Sequence, residues 1–361
     1  MLEAQFPTIG EIFVGRYRID TIIGTGGFSQ VYRARQTDLG RDVAIKVLKP
    51  VADPSKTPEQ QLAKFEQVAR RFEREAKLIS RLKDRNTVVM YDYGRTPGDM
   101  LFMVLEYVDG KTIGELVMSD GPLAPKRAVK ILRQALQSLH EAHSMDVLHR
   151  DIKPGNIMVY NHVGQMDLVK VLDFGIAKTV DNGTGSKPAT GTNSDVTADG
   201  VLVGTPRYMS PEQIRGKSLG PGSDIYSLGL VTYEMLMGIK AVNADSSLRI
   251  IARHLDTDPI LVPLDLALPA KLREIVNRMM LKDASVRYAS CNEVLADLEN
   301  WADNPAPPSE SEPTVSVDAS AVSNLDIAPL EEPPPKTRPW LPIGISVLAI
   351  TIALMSVSYT H

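Results

Sequence analysis

A chain of 361 residues with 43% hydrophobic and 23% charged residues has the composition of a folded globular protein, which excludes a fibrous or wholly disordered one. The net charge of −4 is concentrated in residues 303–335, which hold seven acidic residues and no lysine or arginine. Residues 1–302 are therefore nearly neutral, without the basic surplus that nucleic-acid binding needs, and the single cysteine, Cys291, excludes an internal disulfide and fits a reducing compartment.

Residues 1–16 carry Glu3 and Glu11 and no basic stretch followed by an apolar run, so they read as a short extension rather than a signal peptide. Residues 17–47 alternate apolar and polar positions and break at Gly24, Gly26, Gly27 and residues 38–40, the pattern of antiparallel hairpins. A helix is expected from Thr57, with Pro58 at its first position and Gln60 closing a capping box. Leu62, Phe65, Ala69, Phe72, Ala76 and Ile79 then recur at helical spacing. Strands are expected over 87–93 and 101–107, and helical patterns, including 124–143 and 224–237, dominate up to Trp301. The fold class is α+β, a small mostly-β lobe before a larger mostly-α lobe.

Residues 302–339 shift to Pro, Ser, Ala and acid without apolar periodicity, so they read as a disordered linker. Residues 340–360 contain no charge, and at about 1.5 Å per residue such a stretch spans the roughly 30 Å hydrocarbon core, so a single transmembrane helix is expected. Trp340 and Tyr359 sit at its two ends, where amphipathic rings favour the lipid interface.

Residues 24–31 form a glycine-rich loop between two strands, where backbone amides can approach phosphates closely. A dinucleotide fold would need a helix directly after the glycines, whereas residues 31–34 continue as a strand, and the Gly-Lys-Ser/Thr of a Walker loop is absent. Val43-Ala44-Ile45-Lys46 follows, then the run from His149, Arg150 and Asp151 to Lys153 and Asn156, then Asp173-Phe174-Gly175, and finally Ser210-Pro211-Glu212. In this order the motifs resemble the eukaryotic-type (Hanks-type) protein kinase family over residues 17–301, and the chain is similar to bacterial membrane-anchored serine/threonine kinases. Ser29 replaces the third loop glycine of that pattern and Ser210 replaces an alanine, both by small residues.

The resemblance implies a two-lobed kinase fold, ATP and Mg²⁺ as cofactors, and transfer of the γ-phosphate to protein serine or threonine. It makes Asp151 the catalytic base and lets Lys153 screen the γ-phosphate. Lys46 would hold the α- and β-phosphates, braced by Glu75, with Glu73 as the rival partner. Asn156 and Asp173 offer the hard oxygens that Mg²⁺ prefers. Gly24, Thr25, Gly26, Gly27, Phe28 and Ser29 would cover the phosphates, while Ile23, Val31, Ala44 and Met158 sandwich the base. Leu105 would guard the back of the adenine pocket and the backbone from Glu106 to Val108 would bind its edge. Asp224 would brace the catalytic loop and Arg287 would pair with Glu212. Lys153 and Thr205, in Gly204-Thr205-Pro206, point to the serine/threonine branch.

Two alternatives remain open on the sequence. One is a pseudokinase scaffold, although every catalytic side chain is present. The other is a small-molecule kinase, which lacks the peptide-docking segment between Gly204 and Glu212. Residues 175–204 are rich in Thr, Ser, Gly and Asp and are expected to be mobile until phosphorylated, Thr197 first, with Thr192, Ser194 and Thr190 as alternatives. Arg150 is expected as a buried arginine awaiting that phosphate, supplied by another copy of the chain. The helix from Thr57 begins about ten residues before the family's Glu-bearing helix usually starts, so Leu62 and Phe65 would pack on the first lobe or pair two kinases. Lys336 and Arg338 place the catalytic domain on the cytosolic side of the membrane span. Whether the chain is tail-anchored or continues into an extracellular domain is left open.

Overall fold

The computed structural model describes residues 6–26, 29–49, 57–174, 206–264 and 268–302. Outside these lie Gly27, Phe28, Gly175, Thr190, Thr192, Ser194, Thr197, Thr205, the linker from 303 and the apolar run 340–360. Among the described residues no helix is long and apolar enough to cross a membrane.

The first lobe is built on a six-stranded antiparallel sheet in the order β1-β2-β3-β4-β6-β5. Its strands are β1 (Ile12–Phe13), β2 (Tyr17–Thr25), β3 (Ser29–Gln36), β4 (Arg41–Leu48), β5 (Met90–Arg95) and β6 (Leu101–Glu106). Period-two alternation divides β4: Val43, Ile45 and Val47 bury into a cluster with Tyr17, Tyr32 and Phe102, while Ala44 and Lys46 point to the opposite face. On β6, Leu101, Met103 and Leu105 share that opposite face and join a second cluster continuous with the helical lobe. One strand thus holds the lobe together with its odd positions and presents a lysine with an even one.

Helix α1 (Pro58–Ile79) starts at Thr57, whose hydroxyl accepts from the Gln60 amide while the Gln60 side chain accepts from the Thr57 amide. Ala69, Phe72, Ala76 and Ile79 are buried along one face. Phe65 packs on the same core with the Arg95 guanidinium over its ring, so this part of the extension leans on the first lobe. The expected strand from Thr87 begins only at Met90, because Thr87 and Val88 instead contact Val171 of the other lobe, Val88 donating to its carbonyl at 3.0 Å.

The second lobe holds a three-stranded sheet of β7 (Lys111–Thr112), β8 (Ile157–His162) and β9 (Gln165–Val171). Around it lie α2 (Ile113–Asp120), α3 (Pro125–Ser144), α4 (Pro211–Ile214), α5 (Pro221–Met237), α6 (Ser247–Leu255), α7 (Ala270–Met279) and α8 (Cys291–Ala302). Nearly all of α5 is buried, and at Gly229 an added Cβ would lie 2.9 Å from Met279 Cβ, so α5 and α7 pack at glycine distance. Cys291 is buried as a small hydrophobe, and burial raises its thiol pKa.

Candidate active site

Sheet register assembles the ceiling of a cleft between the lobes. Gly24 faces Val31, Val31 faces Lys46 and Lys46 faces Met103, a row across four strands. Ala44 stands opposite Leu105 one step along the same face. At the loop tip the Gly26 amide donates to the Ser29 carbonyl at 2.8 Å, and a Cβ on Gly26 would sit 2.9 Å from Ser29 Oγ.

The floor comes from the β8–β9 hairpin. Ile157 pairs with Val171, so Asn156, just before β8, and Asp173, just after β9, emerge at the same end of the hairpin. The Leu172 amide donates to the Asn156 carbonyl at 2.8 Å and locks that end. Asn156 Nδ2 donates to the Asp151 carbonyl at 2.8 Å and to its Oδ2 at 3.1 Å, while Lys153 Nζ donates to the same Oδ2 at 2.8 Å. From the ceiling, Lys46 Nζ reaches Asp173 Oδ2 at 2.8 Å. Burial would raise the Asp173 pKa, but the charge and hydrogen bond of Lys46 outweigh it and hold the carboxylate below its ordinary range. Asp173 and Arg150 both adopt positive φ, 53° and 62°, a costly conformation that the surrounding contacts must hold in place.

A single buried carboxylate fixes the loop that leads to Asp151. Asp224, near the start of α5, accepts from the amides of His149 (2.8 Å) and Arg150 (2.9 Å) and from His143 Nε2 (2.8 Å). Burial opposes its ionisation, yet these donors keep its pKa low. The His149 ring donates from Nε2 to the Leu172 carbonyl and stacks near Phe174, and burial lowers its pKa. Farther down, Arg287 Nη1 lies 2.8 Å from Glu212 Oε1, and Ser223 Oγ donates to the same oxygen at 2.7 Å. Burial would raise the Glu212 pKa, but Arg287 lowers it.

A cavity of about 350 Å³, a size that suits a small ligand, lies between ceiling and floor. Gly24, Thr25, Gly26, Ser29 and Val31 line its upper side, and Lys46, Asp151, Lys153 and Asp173 converge on it. Leu105 closes part of its back. Ile79, Val88, Met90, Met103 and Phe174 also line it. Sequence reasoning missed these as lining residues because they reach the cavity only through packing of α1, β5, β6 and the segments before β5 and after β9. Ile23, Ala44, Glu106, Val108 and Met158 are not part of the lining. Ile23 is 48% exposed, and Glu106 donates its amide to the Val89 carbonyl and pairs its carboxylate with Lys170 at 2.8 Å.

One expectation changes, and the one on the Glu75 side chain falls outside the described residues. Arg150 is exposed rather than buried, while its amide is held by Asp224 and its carbonyl accepts from Gln213 Nε2 at 2.9 Å. The described partner of Lys46 is Asp173; the Glu75 side chain lies outside the description, and the rival Glu73 is exposed.

The protein kinase domain model matches residues 17–298. This chain belongs to the protein kinase family. The kinase is 35% identical over 325 residues to serine/threonine-protein kinase pkn3 of Myxococcus xanthus, covering 89% of this chain and 55% of that protein. It is 38% identical over 331 residues to serine/threonine-protein kinase PknB of Mycobacterium tuberculosis, covering 90% and 48%. A probable serine/threonine-protein kinase of Clostridium perfringens is 35% identical over 298 residues, covering 82% and 40%. The kinase thus spans about half the length of the curated relatives it matches.

Proposed function

We propose that this chain transfers the γ-phosphoryl group of ATP to serine or threonine hydroxyls of proteins, with Mg²⁺. The observation that carries the reading is the convergence of Lys46, Asp151, Lys153 and Asp173 on one cavity beneath the glycine loop. Phosphoryl transfer asks a protein for positioning and charge neutralisation more than for covalent chemistry, and these groups supply both. Asp151 accepts the proton of the incoming hydroxyl as the new P–O bond forms and the bond to the leaving diphosphate breaks. Lys153, hydrogen-bonded to Asp151, stands beside that event and offsets charge on the transferred group.

The donor set fits Mg²⁺. Asn156 commits its side-chain nitrogen Nδ2 to Asp151, which leaves its side-chain oxygen Oδ1 for a hard cation, and Asp173 is kept ionised. When bound, the ion neutralises phosphate charge. Lys46, drawn to Asp173 here, is placed to exchange that carboxylate for phosphate oxygens. The full chain incubated with radiolabelled ATP, Mg²⁺ and a generic protein acceptor tests this. Label on serine and threonine that disappears in Asp151→Asn supports the reading, and equal label in that variant rejects it.

Two finer points belong to the same proposal. Phosphorylation of Thr197, or of Thr192 or Ser194, by another copy switches the enzyme on by pairing with Arg150, whose exposed side chain is compatible with such a contact. Mass spectrometry that finds no phosphate on residues 175–204 of the active enzyme would refute it. Residues 340–360 anchor the kinase in a membrane with its catalytic domain in the cytosol, supported by the uncharged run and by Lys336 and Arg338 before it. Digestion of the kinase domain by protease outside intact cells would reverse that orientation.

A further inference from the structure

A second groove, of about 980 Å³, is larger than the cleft and lies on the helical lobe. Its sides are α3, the turn of the β8–β9 hairpin and the end of α8. Val129, Leu168 and Trp301 form an apolar floor, and Met166 stands in the turn with 62% of its surface exposed. Arg85, Lys126, Lys130 and Arg133 ring this floor, and among the described residues no carboxylate or histidine lines it.

The positive charge there is largely uncancelled. Asp167, the hairpin's own carboxylate, turns to Arg127 at 2.9 Å, and Lys130 Nζ is spent on the Met166 carbonyl at 2.6 Å. Arg133 reaches Glu299 at 3.1 Å. Among the described residues the side chains of Arg85 and Lys126 meet no ion-pair or hydrogen-bond partner. An exposed thioether and an indole within a ring of cations suit an extended peptide that carries both acidic and apolar side chains. A nucleic-acid backbone is the poorer match, because residues 1–302 as a whole are nearly neutral. The turn that lines the groove is the far end of the hairpin whose near end carries Asn156 and Asp173. With strands of six and seven residues, groove and cleft are roughly 20 Å apart along one rigid element.

The geometry points to a docking site for an acidic, apolar-bearing segment of the protein substrates, separate from the phosphoacceptor and tethering it near the cleft. This assignment rests on the phosphotransfer reading above. Tethering raises the local concentration of the acceptor and therefore lowers KM without touching kcat.

Two synthetic acceptor peptides with one shared serine/threonine sequence test it on the full chain. One continues through a Gly/Ser spacer into a tail of Glu, Asp and Leu, the other into a Gly/Ser tail of equal length. The acidic tail is expected to lower KM roughly tenfold at unchanged kcat. Arg85→Glu/Lys126→Glu removes that gain and leaves the KM of the plain peptide as it was, since neither side chain is part of the catalytic cleft. Anisotropy of the fluorescein-labelled acidic tail reads binding without any phosphotransfer. Transfer without tail binding, or a KM gain that survives the double charge reversal, overturns the groove while leaving the kinase reading intact. Tail binding without transfer overturns the kinase reading and with it the substrate assignment. A labelled single-stranded oligonucleotide that binds more tightly than the tail overturns the peptide assignment. So does tail binding that emerges only when residues 303–335 are replaced by Gly/Ser, because the chain's own acidic stretch would then be the occupant.

Discussion

Two of the polar networks among the described residues use the same chemistry to opposite ends. Around Glu212 and Arg287 the side chains are 11% and 0% exposed, and Arg287 also donates to the carbonyls of Gly222 and Leu281. Each charge meets its partner and the spare donors meet backbone, so the network has no capacity left for a ligand. In the cleft, Lys46 and Asp173 are 12% and 34% exposed and face open space beneath the glycine loop. A saturated pair holds the lobe; an unsaturated pair can be exchanged for phosphate and metal. The difference is in coordination left over, not in the strength of either pair.

Breaking the saturated network should give the largest effect. Arg287→Ala strands the Glu212 carboxylate in the interior, and about 3–5 kcal/mol of stability should be lost, read as a fall in the denaturation midpoint. A variant that unfolds at the midpoint of the parent would place the brace elsewhere. In the cleft the order of effects reverses: Lys46→Met should lower that midpoint by less than Arg287→Ala does, because Asp173 at 34% exposure keeps access to open space, while slowing phosphotransfer by about 10²–10³-fold. Loss of folding with the Lys46 change would erase the contrast between the networks.

A third test uses acid. His254 is fully buried in α6, where its Nδ1 accepts from the Tyr226 hydroxyl and its Nε2 donates to the Arg207 carbonyl. Burial lowers its pKa from 6.5 to about 4. The depressed folded-state value means that stability is complete above pH 6.5 and declines as the pH falls toward 4, by about 3 kcal/mol in total. His254→Gln should flatten that part of the curve in urea titrations; an unchanged slope would show that the ring takes up its proton alike in the folded and unfolded states. The smallest effect is expected at Ser210, which caps α4 by accepting from the Gln213 amide at 3.3 Å. Ser210→Ala should cost about 1 kcal/mol by thermal denaturation and leave the cleft untouched.

Legibility in the sequence followed the range of the interactions. The capping box at Thr57 is four residues long, and it could be read before any fold was known. The hairpins of residues 17–47 and the motif order were equally local. Thr87 and Val88 look like strand residues, yet their partner is Val171, some eighty residues away, which pulls them out of the sheet. Arg150 was legible as a residue but not as an orientation, because its backbone is held by the distant Asp224 and Gln213. The cavity wall of Ile79, Met90 and Met103 has the composition of any core, and only packing makes it a wall.

The histidine two residues before Asp151 carries one more consequence. His149 Nδ1 accepts from the Asp151 amide at 3.3 Å and its Nε2 donates to the Leu172 carbonyl at 2.8 Å, which occupies both ring nitrogens and fixes one tautomer. The ring is also fully buried, so it has neither a vacant lone pair nor water from which to take a proton. The loop that carries Asp151 is thereby insulated from acidity over the range in which ordinary histidines change charge. The acid limb of the rate profile is therefore expected to carry no titration of His149.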